Sequence, residues 1–230
     1  MCGRFTLRSR LNLLLQQFAL EGDEDRESFD PRYNIAPTQE VFAVRSRVAG
    51  QRELASFRWG LVPSWADDLK IGVRMINARS ETIASKPSFA AAFKRRRCLI
   101  PGDGFYEWKK TGQAKQPYLI ELADGGLFGF AGLWESWQPE RGPTIESCTI
   151  ITTAANDLMH ELHERMPVIL SPGDYEAWLD PENSDRGGLL KLLDAFPGDQ
   201  MRTTPVRPFV NNVRNQGPEC AEPLDSGLAG

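Results

Sequence analysis

The sequence has only two histidines, His160 and His163, and four widely spaced cysteines, Cys2, Cys98, Cys148 and Cys220. No two cysteines form a CxxC pair, so the spacing gives no zinc site. The HExxH pattern is also absent, because His160 and His163 are three residues apart. No apolar run approaches the roughly 18 residues of a membrane span, and the sequence shows no charged-then-apolar leader, so neither a span nor an export signal is expected. There is no Gly/Ser linker, internal repeat or low-complexity tract. A reducing, cytoplasmic compartment is expected. The net charge of −4 argues against general coating of nucleic acid, though it leaves room for a local basic groove.

What is present suits one soluble domain. Hydrophobic residues make up 41% and charged residues 25% of the 230, enough for a real core without disulfides. Leu11, Leu14, Leu15 and Phe18 recur at helical spacing, which predicts a helix over Ser9–Leu20. The acidic stretch from Glu21 to Asp30 reads as a loop. Strands are expected at Val41–Val44, Leu54–Trp59, Arg74–Ala78, Cys98–Ile100, Tyr118–Leu122, Leu127–Leu133 and Ser147–Thr152. Helices are expected at Asn156–His163, from Ser171-Pro172 through Leu179, and at Leu189–Phe196. Strands and helices do not alternate, so a doubly wound parallel sheet is excluded. The expectation is a single α+β domain over 1–216 with curved, mostly antiparallel, barrel-like sheets flanked by short helices. Residues 217–230 read as a disordered or loosely attached tail.

The N-terminus carries the most pointed chemistry. A small residue follows Met1, so removal of Met1 would leave Cys2 with a free amine beside its thiol. Their reference pKa values are about 7.7–8.0 and about 8.5. An aldehyde meeting this pair can form an imine and then close a thiazolidine ring. The bland alternative is a chance cysteine at position 2.

Other polar residues sit in segments that otherwise read as buried or tightly turned. Arg32-Tyr-Asn-Ile-Ala-Pro37 reads as a turn in which Asn34 bonds local backbone. In Trp59-Gly-Leu-Val-Pro-Ser-Trp65, Trp59 reads as core and Trp65 as a loop aromatic able to stack on a base. Asn77 and Arg79 lie at period two and share a face that suits a phosphate or sugar, or a structural hydrogen-bond network. In Pro101-Gly-Asp-Gly-Phe-Tyr-Glu-Trp108 the glycines permit close backbone approach, and Glu107 sits between aromatics where a carboxyl suits acid–base work, or else points to solvent from an edge strand. His163, beside Arg165 and Pro167, is the better acid–base candidate; His160 reads as a surface residue. The run Lys94-Arg95-Arg96-Arg97 reads equally as a solvated helix end or a phosphate-facing patch.

Together these segments resemble the SRAP family, named for SOS response-associated peptidase. The matching pieces are Met-Cys-Gly-Arg-Phe, Arg-Tyr-Asn-Ile-Ala-Pro, Trp-Gly-Leu-Val-Pro-Ser-Trp, Asn-Ala-Arg-Ser-Glu, Gly-Phe-Tyr-Glu-Trp, Ile-Ile-Thr-Thr-Ala-Ala-Asn, His-Glu-Arg-Met-Pro and Asn-Asn-Val-Arg-Asn, in family order over about residues 2–215. The resemblance implies a protein that binds abasic sites in single-stranded DNA and shields them in a covalent crosslink. Cys2 would be the nucleophile, Asn77 would hold the opened sugar, and Glu107 and His163 would move protons. Arg4, Arg79, Thr152, Arg165 and Arg214 would contact the DNA, and Trp65 would stack on a base; where family members often carry two adjacent aromatics, Trp65 is followed by Ala66. The accompanying expectation is a monomer needing neither metal nor cofactor. A cysteine hydrolase using Cys2, His163 and Glu107, or a non-catalytic strand binder, are the competing readings. Cys98 and Cys148 are expected to be buried as small apolar residues.

Overall fold

The computed structural model describes residues 2–20, 29–112 and 114–224. In chain order its strands are β1 (Phe5–Leu7), β2 (Arg32–Ile35), β3 (Glu40–Val48), β4 (Gln51–Trp59), β5 (Asn77–Arg79), β6 (Arg97–Gly102), β7 (Gly104–Thr111), β8 (Ala114–Leu122), β9 (Phe128–Trp137), β10 (Ile145–Ala154), β11 (Arg165–Pro167), β12 (Ile169–Leu170) and β13 (Met201–Pro205). The helices are α1 (Leu11–Gln17), α2 (Pro87–Arg95), α3 (Asp157–His160), α4 (Tyr175–Leu179) and α5 (Arg186–Lys191).

Two sheets organise the strands. One runs β13-β8-β7-β1-β2. The other contains the order β10-β4-β3-β6-β9, and β9 pairs back onto β10, so these five strands close into a ring. Pairing is antiparallel except where β10 meets β4 and β5. The expected α+β class with curved, mostly antiparallel, barrel-like sheets is therefore what the chain adopts.

Phe5 joins the sheets. Its ring meets Trp59 edge-on at 5.3 Å and Phe130 at 5.6 Å. It is almost fully buried, which contributes about 2–3 kcal/mol. Gly104 lets β1 and β7 close up: a Cβ there would lie 2.9 Å from both Thr6 Oγ1 and Leu119 Cδ1. The N-terminal strand is thus sealed into the interior of a sheet.

Helix α1 is shorter than the predicted Ser9–Leu20. At its start, Ser9 is bound through its backbone N–H and its hydroxyl to Asp103. At its end, Ala19 turns into the left-handed region at φ 49°. The apolar face is as read, with Leu14 and Phe18 fully buried. The predicted strand Arg74–Ala78 divides into a 3-10 turn over Leu69–Arg74 and the short β5. The predicted helix Asn156–His163 contracts to α3: Asn156 caps its start by accepting from the Met159 N–H at 2.8 Å, and its end closes where the Leu162 and His163 N–H groups both turn back to the Met159 carbonyl. The expected helix at Leu189–Phe196 is instead α5, which starts at Arg186 behind Asp185 as its cap. Cys98 and Cys148 are fully buried on β6 and β10.

Two closures frame the surface loops. Gly60 (φ 128°) and Gly72 meet backbone to backbone: a Cβ on either would lie 2.7 or 2.5 Å from the other's carbonyl oxygen. They form the neck of the loop that carries Trp65. At the other end of the chain, the segment expected to hang loose from Gly217 is packed as far as Leu224. Cys220 is fully buried beside Tyr106, Val206 and Val210, and the Leu224 N–H donates to the Pro205 carbonyl. Residues 225–230 of the expected tail, and 21–28 of the expected acidic loop, lie outside the described residues.

Candidate functional site

β1 pairs with β7 in the register Phe5↔Phe105, and the Tyr106 N–H donates to the Arg4 carbonyl at 2.9 Å. This register carries Cys2 alongside Glu107. Cys2 is 1% exposed, and its Sγ has only a long contact of 4.0 Å to the Arg4 carbonyl. Burial, and after it the charge of Glu107, pushes the Cys2 thiol up to about 12. It is held as a neutral thiol at ordinary pH.

Asn77 reaches the same point from the ring. β5 is pinned by its pairing Ile150↔Asn77 with β10 and by Trp59 Nε1 donating to the Ile76 carbonyl at 2.9 Å. Asn77 Nδ2 then donates to the Cys2 carbonyl at 2.8 Å. Its Oδ1 is buried and accepts no hydrogen bond from the described residues. The period-two reading holds in outline: Ala78 faces the core, and Asn77 and Arg79 face away from it.

Glu107 is buried on β7, and its Oε1 accepts from the Trp108 N–H at 3.0 Å. It is neither an edge residue nor solvent-facing, since β7 lies between β8 and β1. A cavity of ≈ 500 Å³ opens over it, lined by Arg4, Glu107, Trp108, Lys110, Lys115, His163 and Asn211. His163 Nδ1 accepts the Arg165 backbone N–H at 2.9 Å. A neutral imidazole accepting at Nδ1 carries its proton on Nε2. His160 is exposed on α3.

Arg4 is already engaged. Its Nη1 donates to Asn34 Oδ1 at 2.8 Å and to the Val210 carbonyl at 2.9 Å, and its guanidinium lies 5.8 Å from the centre of the Trp108 ring. Asn34 is not the residue of a local turn. It sits on β2 and donates through Nδ2 to the carbonyls of Val210, Asn212 and Asn215, nearly the full length of the chain away. Asn211 in turn accepts from Trp108 Nε1 at 2.7 Å. Asn34 and Arg4 therefore shape one wall of the cleft, while Lys110 and Lys115 add charge that no motif had marked.

A second cluster spans β5, β10 and β11. Register places Thr152 opposite Arg79 on one side and Pro167 on the other. Arg79 is exposed. Thr152 is fully buried, its hydroxyl donating inward to the Ala78 carbonyl at 3.4 Å. Arg165 Nη2 donates to the Thr152 carbonyl at 2.6 Å, and both of its terminal nitrogens pair with the Glu81 carboxylate. Arg165 holds the Glu81 carboxyl below the ordinary range. Trp65 (58% exposed) and Arg214 lie on exposed loops and do not line the cleft.

Behind β1, Asp103 fastens the strand. It accepts from Thr6 Oγ1 and the Arg8 N–H, each at 2.6 Å, and from the Ser9 N–H at 2.8 Å, and it pairs with Arg8 Nε at 3.0 Å. Among the described residues no group of three or more His, Cys, Asp or Glu side chains could hold a metal ion. Among the described residues no helix is long and apolar enough to cross a membrane.

Comparison with known proteins gives consistent results. The profile of the SOS response associated peptidase family matches residues 1–213. The abasic site processing protein YoqW of Bacillus subtilis (strain 168) is 43% identical over 223 residues, covering 96% of this chain and 99% of that one. The abasic site processing protein YedK of Escherichia coli (strain K12) is 34% identical, covering 97% and 100%. The abasic site processing protein HMCES of Gallus gallus is 34% identical over 87% of this chain and 68% of its own. Among solved structures, a protein from Bacteroides thetaiotaomicron superposes with a TM-score of 0.85 at 25% identity, covering 97% of this chain and all of that one.

Proposed function

The chain belongs to the SOS response associated peptidase family, and from that premise we propose that it processes abasic sites in single-stranded DNA by forming a covalent crosslink through Cys2. The observation that carries the reading is the meeting of Cys2 with Glu107 on one side and Asn77 on the other, under a cleft that also holds His163 and Arg4.

Once Met1 is removed, the neutral Cys2 amine attacks the aldehyde carbon of the ring-opened deoxyribose. The carbinolamine loses water to give an imine, and the thiol adds to the imine carbon. The product is a thiazolidine, in which that carbon is bonded to nitrogen and sulfur and the aldehyde oxygen has left as water. Burial, and after it the charge of Glu107, raises the thiol in the chain that carries Met1; a raised thiol is no standing thiolate, so the amine attacks first and ring closure needs a base. Glu107 takes the thiol proton, and His163, presenting Nε2–H, serves the sugar hydroxyl as acid. Asn77 holds the opened sugar.

Arg79, Arg165 and Arg214 meet phosphates, with Arg4 at the cleft wall and Trp65 stacking on a base. Thr152 acts indirectly, its carbonyl orienting Arg165. The cysteine hydrolase reading is disfavoured. Such an enzyme needs a thiolate paired with histidine, whereas the Cys2 thiol is held protonated and no hydrogen bond joins it to His163 among the described residues.

The test is a denaturing crosslinking gel with protein lacking Met1 and single-stranded DNA carrying one abasic site. A heat-stable shifted band is expected that disappears with intact DNA and with Cys2→Ala. No band from protein whose free Cys2 terminus is verified by mass overturns the proposal.

A further inference from the structure

The basic run at the end of α2 takes no part in the Cys2 cleft, and its four members have separate fates. Arg97 is buried and donates to the carbonyls of Phe93, Lys94, Trp178, Asp180 and Asn183. It thereby clamps the end of α2 to the turn that follows α4. Arg96 pairs with Glu135 at 2.7 Å. Lys94 and Arg95 remain exposed, with no ion pair to a described residue.

Between the two segments that Arg97 clamps lies a cavity of ≈ 370 Å³. Ala90, Phe93, Pro181 and Leu189 give it an apolar floor. Lys94, Arg95 and, from α5, Arg186 bring three cations to its lining, against the single carboxylate of Glu182. That local positive balance stands out on a chain of net charge −4.

We propose that this cavity docks an acidic peptide segment of a partner protein, with one bulky apolar side chain in the cavity and flanking carboxylates on Lys94, Arg95 and Arg186. A volume of ≈ 370 Å³ lies within the range of ligand pockets and takes a large apolar side chain together with the adjoining peptide. The Arg97 clamp fixes both walls beforehand, which lowers the ordering cost of binding. Nucleic acid fits less well. A base needs an open aromatic face, but Phe93 is 3% exposed and packs on Trp178. This site shares no lining residue with the Cys2 cleft, so the proposal stands independently of the chemistry there.

The experiment is fluorescence anisotropy on the full chain. The probe is a fluorescein-labelled hexapeptide of three aspartates, glycine, leucine and a C-terminal phenylalanine. Saturable binding is expected, weakened at least about tenfold by the Lys94→Glu/Arg95→Glu double substitution, by phenylalanine-to-serine replacement in the peptide, and by salt. Circular dichroism checks that the variant is folded. Absence of saturation at millimolar peptide, or binding indifferent to the double substitution, overturns the proposal. So does a labelled twelve-residue oligothymidylate that loses affinity in the double variant while the peptide does not bind, which would give the cavity to a nucleic-acid strand.

Discussion

The amide of Asn77 donates to the carbonyl oxygen of Cys2 across 75 positions of sequence. The residue proposed to hold the sugar therefore already holds the backbone of the nucleophile. Asn77→Ala should slow crosslink formation about tenfold, from loss of about 1–2 kcal/mol of hydrogen bonding. Single-turnover gels measure the rate. A thermal melt that stays within a few degrees of the parent separates positioning from unfolding.

Glu81 occupies the terminal nitrogens of Arg165. A phosphate approaching Arg165 has to displace or share that carboxylate. Glu81→Gln should tighten binding to undamaged single strands and steepen the dependence of log K on log salt by up to about 0.7, and Arg165→Gln should do the opposite. Anisotropy titrations across salt concentrations read both. If both substitutions weaken binding alike, Glu81 is a brace for Arg165 and not a competitor with DNA.

The Cys2 thiol is raised by burial first and by Glu107 second, to about 12 from 9.0. Site-resolved iodoacetamide labelling of Cys2 should be slow near neutrality and keep rising with pH beyond 9. Glu107→Gln should shift the labelling profile to lower pH. The linkage has the matching sign: the neutral thiol favours the fold fully below 9, and this contribution is lost as pH rises towards 12.

Burial opposes ionisation of Asp103, yet Arg8 and the hydrogen bonds from Thr6, Arg8 and Ser9 outweigh it and hold the carboxyl below its ordinary value. Its stabilisation is present above the ordinary aspartate range and lost as pH falls through the depressed value. Asp103→Asn should cost about 3 kcal/mol at neutral pH and flatten the acid limb of the melting-temperature profile. An unchanged acid limb would refute this.

Much of the fold was legible because it leaves a periodic trace. The helical spacing of Leu11, Leu14 and Phe18 and the apolar runs now in β4, β6, β9 and β10 are such traces. The order of the motifs was legible too, and it singled out Cys2, Asn77, Glu107 and His163, of which Asn77 binds the Cys2 carbonyl and Glu107 and His163 line one cleft. The hidden part consists of single polar side chains reaching distant carbonyls. Asn34 reads locally as a turn residue, yet it secures a wall some 180 residues away. The family resemblance gives Thr152 a DNA contact, but its hydroxyl points into the protein. Glu81 neutralises Arg165 by a pairing set only when β11 docks on β10. None of these has a period or spacing that could announce it.

The backbone contact between Gly60 and Gly72 closes the Trp65 loop at its base. Beyond that neck the loop is seated on the barrel: Val62 and Ala66 pack on Trp137, the Val62 N–H donates to Ser147 Oγ, and Trp137 Nε1 donates to the Ala66 carbonyl. Trp65 itself stays exposed and takes no part in that seat, so its side chain can be exchanged without disturbing strand register. The fold thus holds one exposed aromatic on a rigid stem, so a change at position 65 alters the surface offered there and leaves the Cys2 cleft unmoved.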